Sequence, residues 1–309
     1  MRIRGPLPSR LGVRFTIQEA ARAGVGRSRH DAPDLLRPFP GIRSVTPVET
    51  FSERVSTYHR RMKPGHRYVG RTAMRLWGLP LPWEWNRRES LQVAVPPDAA
   101  PPRTAGVTGR RLAPHRAETL ILQGVPVVDA IAAFFSTAAE LDLGHAIAVA
   151  DALLTTADDY PGLGPGRPLA TRESIARRLA EWGRFPGSAT VREALKHARE
   201  KVESPKETET RLLLVNAGMR EPEIQFEVRA GRRLVARTDL AYPELKIAIE
   251  YEGDGHRRSK EQWRVDIRRQ RELVAQGWIV VRLTQADLDD GGRTLLESVR
   301  SAFEIRRSS

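Results

Sequence analysis

Asp239, Glu250, Glu252, Asp254 and His256 have the chemistry to hold a hard cation or move a proton. Four of them fall within the stretch IAIEYEGDGH, from Ile247 to His256. In an extended segment side chains alternate faces, so Ile247, Ile249 and Tyr251 point one way while Ala248, Glu250 and Glu252 point the other. Two carboxylates then stand on one side of a strand whose neighbours are apolar. They repel unless positive charge lies between them, and a divalent cation with oxygen ligands meets that need. A solvated strand face is the plainer alternative. Gly253 and Gly255 end the strand and allow a sharp turn that brings His256 back toward the same rim. Asp254, between the two glycines, reads as turn chemistry.

The elements that must carry these groups follow from pattern. SPKE (Ser204–Glu207) has a capping serine, proline at the first helical position and glutamate three residues after the cap. That capping box accounts for Glu207 on its own, and a site role stands beside it. A helix to about Ala217 follows, with Leu212, Leu213, Leu214 and Val215 supplying core. Strands are predicted at Glu223–Arg229, Leu234–Leu240 and Lys246–Glu252. A helix capped by Ser259 runs to Gln276, where Gly277 stops it. Trp278–Leu283 is a buried strand, and a final helix spans about Arg293–Ile305. The order is helix, three-strand meander, helix, strand, helix, which predicts an α+β domain with a mixed sheet flanked by helices. One register problem is visible. A tight hairpin centred on Tyr242–Pro243 puts Asp239 opposite Lys246, so bringing Asp239 to Glu250 requires a wider connection or a bend.

The chain has 309 residues, enough for two or three domains, and a formal net charge of +13 carried mainly by arginine. Its isoelectric point is near 10.8. Such an excess favours a polyanionic partner, because Lys and Arg release counterions when they neutralise phosphates. Arginine-rich usage from a GC-rich genome is the alternative source. Cysteine is absent, which excludes disulfides and thiolate zinc sites. No apolar run approaches a membrane span and the N-terminus lacks a signal-peptide core, so a cytoplasmic protein is expected.

Upstream, FTIQEAARA (Phe15–Ala23) reads as a short helix capped by Thr16 with Glu19 three residues on. GRSRHDAPDLL follows from Gly26, with Arg27 and Arg29 at its start and Pro33 interrupting it. Helix, glycine turn and basic second helix outline a helix-turn-helix reader of DNA, or a helical hairpin with a solvated basic face. The stretch from Arg37 to Tyr58 is expected to form the strands of a wing. Thr72–Trp77 is a short helix, and strands at Ser90–Pro96, Val107–Leu112 and Glu118–Leu122 make a small sheet. Two helices broken near Leu143–Gly144 span Val127–Leu154. His145 and Asp151, on these helices, read as structural. DDYPGLGPGRP marks a boundary, and two helices at Thr171–Trp182 and Ser188–Val202 lead to the final domain.

SPKE, ARTDL, IAIEYEGDGH and DIRRQRELVAQGWIVVRL together resemble the PD-(D/E)xK nuclease superfamily, in its Vsr-like branch. The resemblance covers the last hundred residues or so and implies a restriction-endonuclease-like fold and metal-dependent phosphodiester hydrolysis. It implies Asp239 as the strand aspartate, Glu250 as the acid of the next strand and Glu207 as the glutamate of the first helix. His256 matches the branch's histidine, and Gln270 the polar position on the following helix. Glu252 stands where the superfamily has lysine, which shifts water positioning to His256 or to a second metal. A literal D-x-x-x-x-E-x-K, Asp239 through Glu244 to Lys246, reads as coincidence because Glu244 follows Pro243 in the turn. On this reading Asp239, Glu250 and Glu252 hold Mg²⁺ or Mn²⁺, while Arg257, Arg258 and Arg264 grip flanking phosphates. FTIQEAARAGV, RLWGLPLP and VADALL are similar to the N-terminal and middle regions of AbiEi-type antitoxins, which implies a winged helix on a small α+β domain.

The expectation is therefore an α+β multidomain chain. A winged-helix-like DNA-binding module at 1–62 is followed by a small α+β domain at 63–157, a helical connector at 158–203 and a nuclease domain at 204–309. The expected activity is that of a DNA endonuclease in phage defence or repair, with DNA as partner, a homodimer for two-strand cutting and a toxin or defence-system partner as further expectations. The alternative is an antitoxin-like DNA-binding regulator that keeps the nuclease fold without turnover.

Overall fold

The computed structural model describes residues 6–164, 166–253 and 260–308. They fall into two units, Met1–Leu141 with Glu173–Ser188, and Asp142–Arg172 with Ala189–Ser309. Among the described residues the strands form three sheets, of two, four and six strands, in a mixed α+β architecture.

In the first unit, β1 (Arg14–Thr16) leads directly into α1 (Ile17–Arg22). Thr16 and Glu19 close the expected capping box: the Glu19 amide donates to the Thr16 hydroxyl at 3.1 Å and the Thr16 amide to the Glu19 carboxylate at 2.6 Å. The short α2 (Arg27–His30) follows, then β2 (Ile42–Ser44), antiparallel to β1. The expected wing strands beyond β2 do not form. Residues Phe51–His59 are a helix, α3, because Thr50 and Glu53 make a second capping box and Val55 and Tyr58 bury one face. That T-x-x-E signal is legible in the sequence and outweighs the β-branched residues around it.

β3 (Arg67–Tyr68) and α4 (Gly70–Trp77) come next, then β4 (Leu91–Val95), β5 (Arg103–Thr104), β6 (Val107–Arg111), β7 (Thr119–Leu122), β8 (Val125–Val128) and α5 (Ala130–Thr137). These strands build the six-stranded sheet in the order β5-β6-β4-β3-β8-β7. Gly70 opens α4 at φ 59°, where a Cβ would lie 1.7 Å from Oε1 of buried Gln92, so only glycine fits.

In the second unit, α6 (Leu143–Leu154) is capped by Asp142. The break before it is a 3-10 turn at Ala138–Glu140 and the Asp142 cap, a few residues earlier than the Leu143–Gly144 expected. α7 (Arg172–Trp182) belongs, past its first residue, to the first unit, and α8 (Ser188–His197) and α9 (Pro205–Asn216) lead to the sheet. β9 (Glu223–Ala230) and β10 (Arg233–Tyr242) form an antiparallel hairpin, β11 (Ile247–Tyr251) is antiparallel to β10, α10 (Lys260–Ala275) crosses over, and β12 (Ile279–Leu283) lies parallel to β11. α11 (Gln285–Asp289) and α12 (Arg293–Arg307) close the chain. No helix among the described residues is long and apolar enough to cross a membrane.

The alternation read from IAIEY holds in this sheet. Ile247 and Ile249 pack with Leu240, Tyr242, Leu214 of α9 and Leu295 and Val299 of α12. Ala248 faces the other way, with Ala241, Leu273 of α10 and Trp278. Helices thus cover both faces, and β11, fully buried up to Glu250, carries that glutamate on the α10 side.

Candidate active site

The register problem is solved by the connection between β10 and β11. Pro243–Leu245 form a 3-10 turn, and Lys246 adopts a left-handed backbone, φ 48°, that returns the chain. Pairing then runs Tyr242↔Ile247, Ala241↔Ala248, Leu240↔Ile249. Continued by one step it sets Asp239 opposite Glu250, and the Tyr251 amide donates to Asp239 Oδ2 at 2.8 Å. The wider loop, not a bend, brings the two acids together.

Glu250 is 4% exposed. Its Oε2 lies 2.7 Å from Arg269 Nη2 of α10, while Oε1 has no hydrogen-bond partner among the described residues. A buried charged oxygen without a partner is costly, so its persistence asks for a ligand. Glu252, half-buried, is 2.6 Å from Arg282 Nη1, and its amide donates to the Leu283 carbonyl at 2.7 Å.

Glu207, 6% exposed at the N-terminus of α9, completes the acidic group. Its amide donates to Ser204 Oγ at 3.2 Å, and its carboxylate accepts from Ser204 Oγ at 2.9 Å, the Glu203 amide at 2.9 Å and Gln225 Nε2 at 3.0 Å. The cap read from the sequence is real, yet it does not exhaust the residue. Burial, and next the negative charge of Asp239, push the Glu207 carboxyl up to about 8. Half-buried Asp239 rises to about 6: enclosure drives it, the Tyr251 amide opposes it, and the Glu250 carboxylate adds to it. Glu203 is raised by burial and restrained by Arg237, at 2.7 Å. Acids that raise one another in this way are a recurring mark of functional sites.

Other sequence-named residues sort plainly. Glu244 pairs with Arg220, and Lys246 Nζ donates to the Gln276 carbonyl at 3.1 Å, so the literal D-x-x-x-x-E-x-K is not assembled. Gln270 is half-buried beside Arg269, and Arg269 makes the bond to Glu250. Arg264 is exposed on α10. In the first unit Arg27 is exposed, 3.8 Å from Asp31, and Arg29 bonds Asp34 at 3.2 Å. Asp254, His256, Arg257 and Arg258 lie outside the described residues.

Sequence reasoning missed Arg269, Arg282 and Gln225. A signal existed for Arg282, the one charged residue in the strand WIVVRL, which register places beside Glu250 on β11. Gln225 had none, because its part depends on a backbone φ of 52°.

No family model matches the chain. Two curated relatives, Uncharacterized protein Rv2248 and Uncharacterized protein MT2308, from the H37Rv and CDC 1551 strains of Mycobacterium tuberculosis, are each 31% identical over 118 residues, 38% of this chain and 43% of theirs. The chain therefore spans less than half the length of these relatives. Among solved structures, the crystal structure of RV2827C protein from Mycobacterium tuberculosis matches 71% of this chain and 84% of its own, at 16% identity and a TM-score of 0.38.

The donor set fits a hard cation in kind: carboxylate oxygens, one of them orphaned, with no thiolate or described imidazole among them. Among the described residues, however, no three Asp, Glu or His side chains already stand ready to hold an ion. The two strand glutamates are turned toward Arg269 and Arg282 instead.

Proposed function

We propose that the second unit is a divalent-metal-dependent DNA endonuclease of PD-(D/E)xK type. The observation that carries the reading is Asp239 set opposite Glu250, whose second carboxylate oxygen is buried without a partner among the described residues. Asp239, Glu250 and Glu252 would hold Mg²⁺ or Mn²⁺, which when bound supplies Lewis acidity at the scissile phosphate. Glu207 holds a proton near neutral pH and so has the range of a proton donor or acceptor. Arg269 and Arg282 balance the two glutamates and would meet phosphate oxygens of the substrate. A net charge of +13 supports a polyanionic substrate. The β1-α1-α2-β2 arrangement supports a winged-helix-like module in the first unit, where Arg27 and Arg29 would contact DNA backbone.

A second reading has its own observation. Because no three acidic or imidazole side chains among the described residues converge on one point, an AbiEi-like DNA-binding regulator that keeps the fold without turnover is the competitor. Incubation of supercoiled plasmid at low salt with Mg²⁺ or Mn²⁺ separates the two. Nicking by the wild type that Asp239→Ala and Glu250→Ala both abolish supports the nuclease. No cutting by any of the three, with a metal-independent mobility shift of the same DNA, supports the regulator.

A further inference from the structure

Gln225 lies in β9, where the flanking pairs Ile224↔Leu240 and Phe226↔Thr238 put it across from Asp239. Between Ala236↔Val228 and Ala241↔Glu223 the pairing is continuous except at these two residues, where Gln225 adopts a left-handed φ of 52°. A non-glycine residue in that region is strained, and such strain persists only where surrounding contacts over-determine it. Glycine would sit there freely and keep the ladder's twist. What glutamine adds is one contact: its Nε2 donates to Glu207 Oε2 at 3.0 Å, on the carboxylate that feels the charge of Asp239. The amide of Glu203 donates to that same oxygen at 2.9 Å and the Ser204 hydroxyl to the other at 2.9 Å. Of these donors, only Gln225 comes from the sheet that carries Asp239 and Glu250. It is the strut between helix and sheet at the acidic group.

Resting on the metal-site reading above, we propose that Gln225 is a positioning residue: its strained backbone aims the side-chain amide at Glu207 and fixes that carboxylate relative to Asp239. Partners of this kind around metal ligands carry large effects on affinity without touching the ion.

The test is Mn²⁺ binding to the full chain by calorimetry at pH 8, with the wild type and Gln225→Gly beside melting curves of each. Gln225→Gly relieves the backbone strain, so its melting temperature is expected to hold or rise by a few degrees. Its Mn²⁺ affinity is expected to fall by about 10- to 100-fold. Equal affinity in the wild type and Gln225→Gly overturns the positioning role. A lower melting temperature with unaltered binding does so too, since a purely structural contact behaves that way. Failure of the wild type to bind Mn²⁺ at all overturns the metal-site reading itself, a separate outcome from the first two.

Discussion

Helix α9 carries two buried polar clusters one residue apart in sequence, and they are built on opposite rules. On one side, Asp151 of α6 is fully buried and fully satisfied. Its Oδ1 accepts from the Arg199 amide at 2.6 Å, and its Oδ2 from Thr208 Oγ1 at 2.8 Å and Arg211 Nη2 at 3.1 Å. Burial pushes its carboxyl up to about 6, but Arg211, the Arg199 amide and Thr208 all pull it down. On the other side, burial of Glu207 is followed by a second influence of the same sign, the charge of Asp239. Glu250, beyond Asp239, keeps an oxygen without a partner among the described residues. Asp151 joins α6 to α9 and needs nothing more. The Glu207–Asp239–Glu250 group is incomplete in the way a binding site is.

The comparison breaks first at its structural half. Asp151→Ala leaves the Arg211 guanidinium buried with Glu221 as its remaining acid, at 2.9 Å. Loss of one partner of a buried pair costs about 3–5 kcal/mol, so urea denaturation should show a loss of that order. If Asp151→Ala leaves stability within about 1 kcal/mol of the wild type, the satisfied cluster is not what joins α6 to α9.

Asp239→Asn and Glu250→Gln should behave in the opposite manner. Each removes a repelling or orphaned charge and keeps the shape, so stability holds or rises while metal-dependent nicking falls at least about 100-fold. Partners that merely support metal ligands already carry 10- to 100-fold. Variants that are unstable and still cut would reverse the assignment.

A pH series sharpens the difference. Glu207 has a folded-state value near 8, above its ordinary 4.5, and Asp239 one near 6, above 3.8. A carboxyl raised in the folded state binds more protons there than in the unfolded chain. Metal-free stability therefore falls as pH climbs from about 4 through 6 to about 8, by several kcal/mol in order of magnitude. Glu207→Gln should flatten the upper part of that decline, from about 6 to 8, and saturating Mg²⁺ should offset it. A wild-type profile that is flat across this range contradicts the mutual repulsion.

The smallest effect is expected at Arg269. Its side chain is 36% exposed, so solvent screens the pair with Glu250. Arg269→Gln should cost about 1 kcal/mol without metal and less with Mg²⁺ present, because the ion takes over as counter-charge. A loss that Mg²⁺ does not reduce would show that the cation and Arg269 do not compete for Glu250.

Much of the second unit could be read from residue order alone. The capping box at Ser204, the alternation of IAIEY and the apolar run WIVVRL each gave the correct element, because each is a local signal. The two faces of β11 followed from period-2 geometry. What could not be read was how the strands meet. Asp239 reaches Glu250 through a 3-10 turn closed by a left-handed Lys246, and no propensity assigns that backbone to lysine. Arg269 and Arg282 were hidden for a related reason: arginines are abundant here, and only folding selects which two face the acids. In the first unit the missed helix α3 had a visible T-x-x-E signal. The β-branched residues around that signal favour strand, and the cap outweighs them.

The most direct test of the central claim is Mn²⁺ titration followed by electron paramagnetic resonance at pH 8, on the wild type and Glu250→Gln at equal concentration. The account predicts saturable binding by the wild type that Glu250→Gln loses while its circular dichroism and melting temperature are retained. Equal Mn²⁺ uptake by both proteins, or none by either, would contradict it.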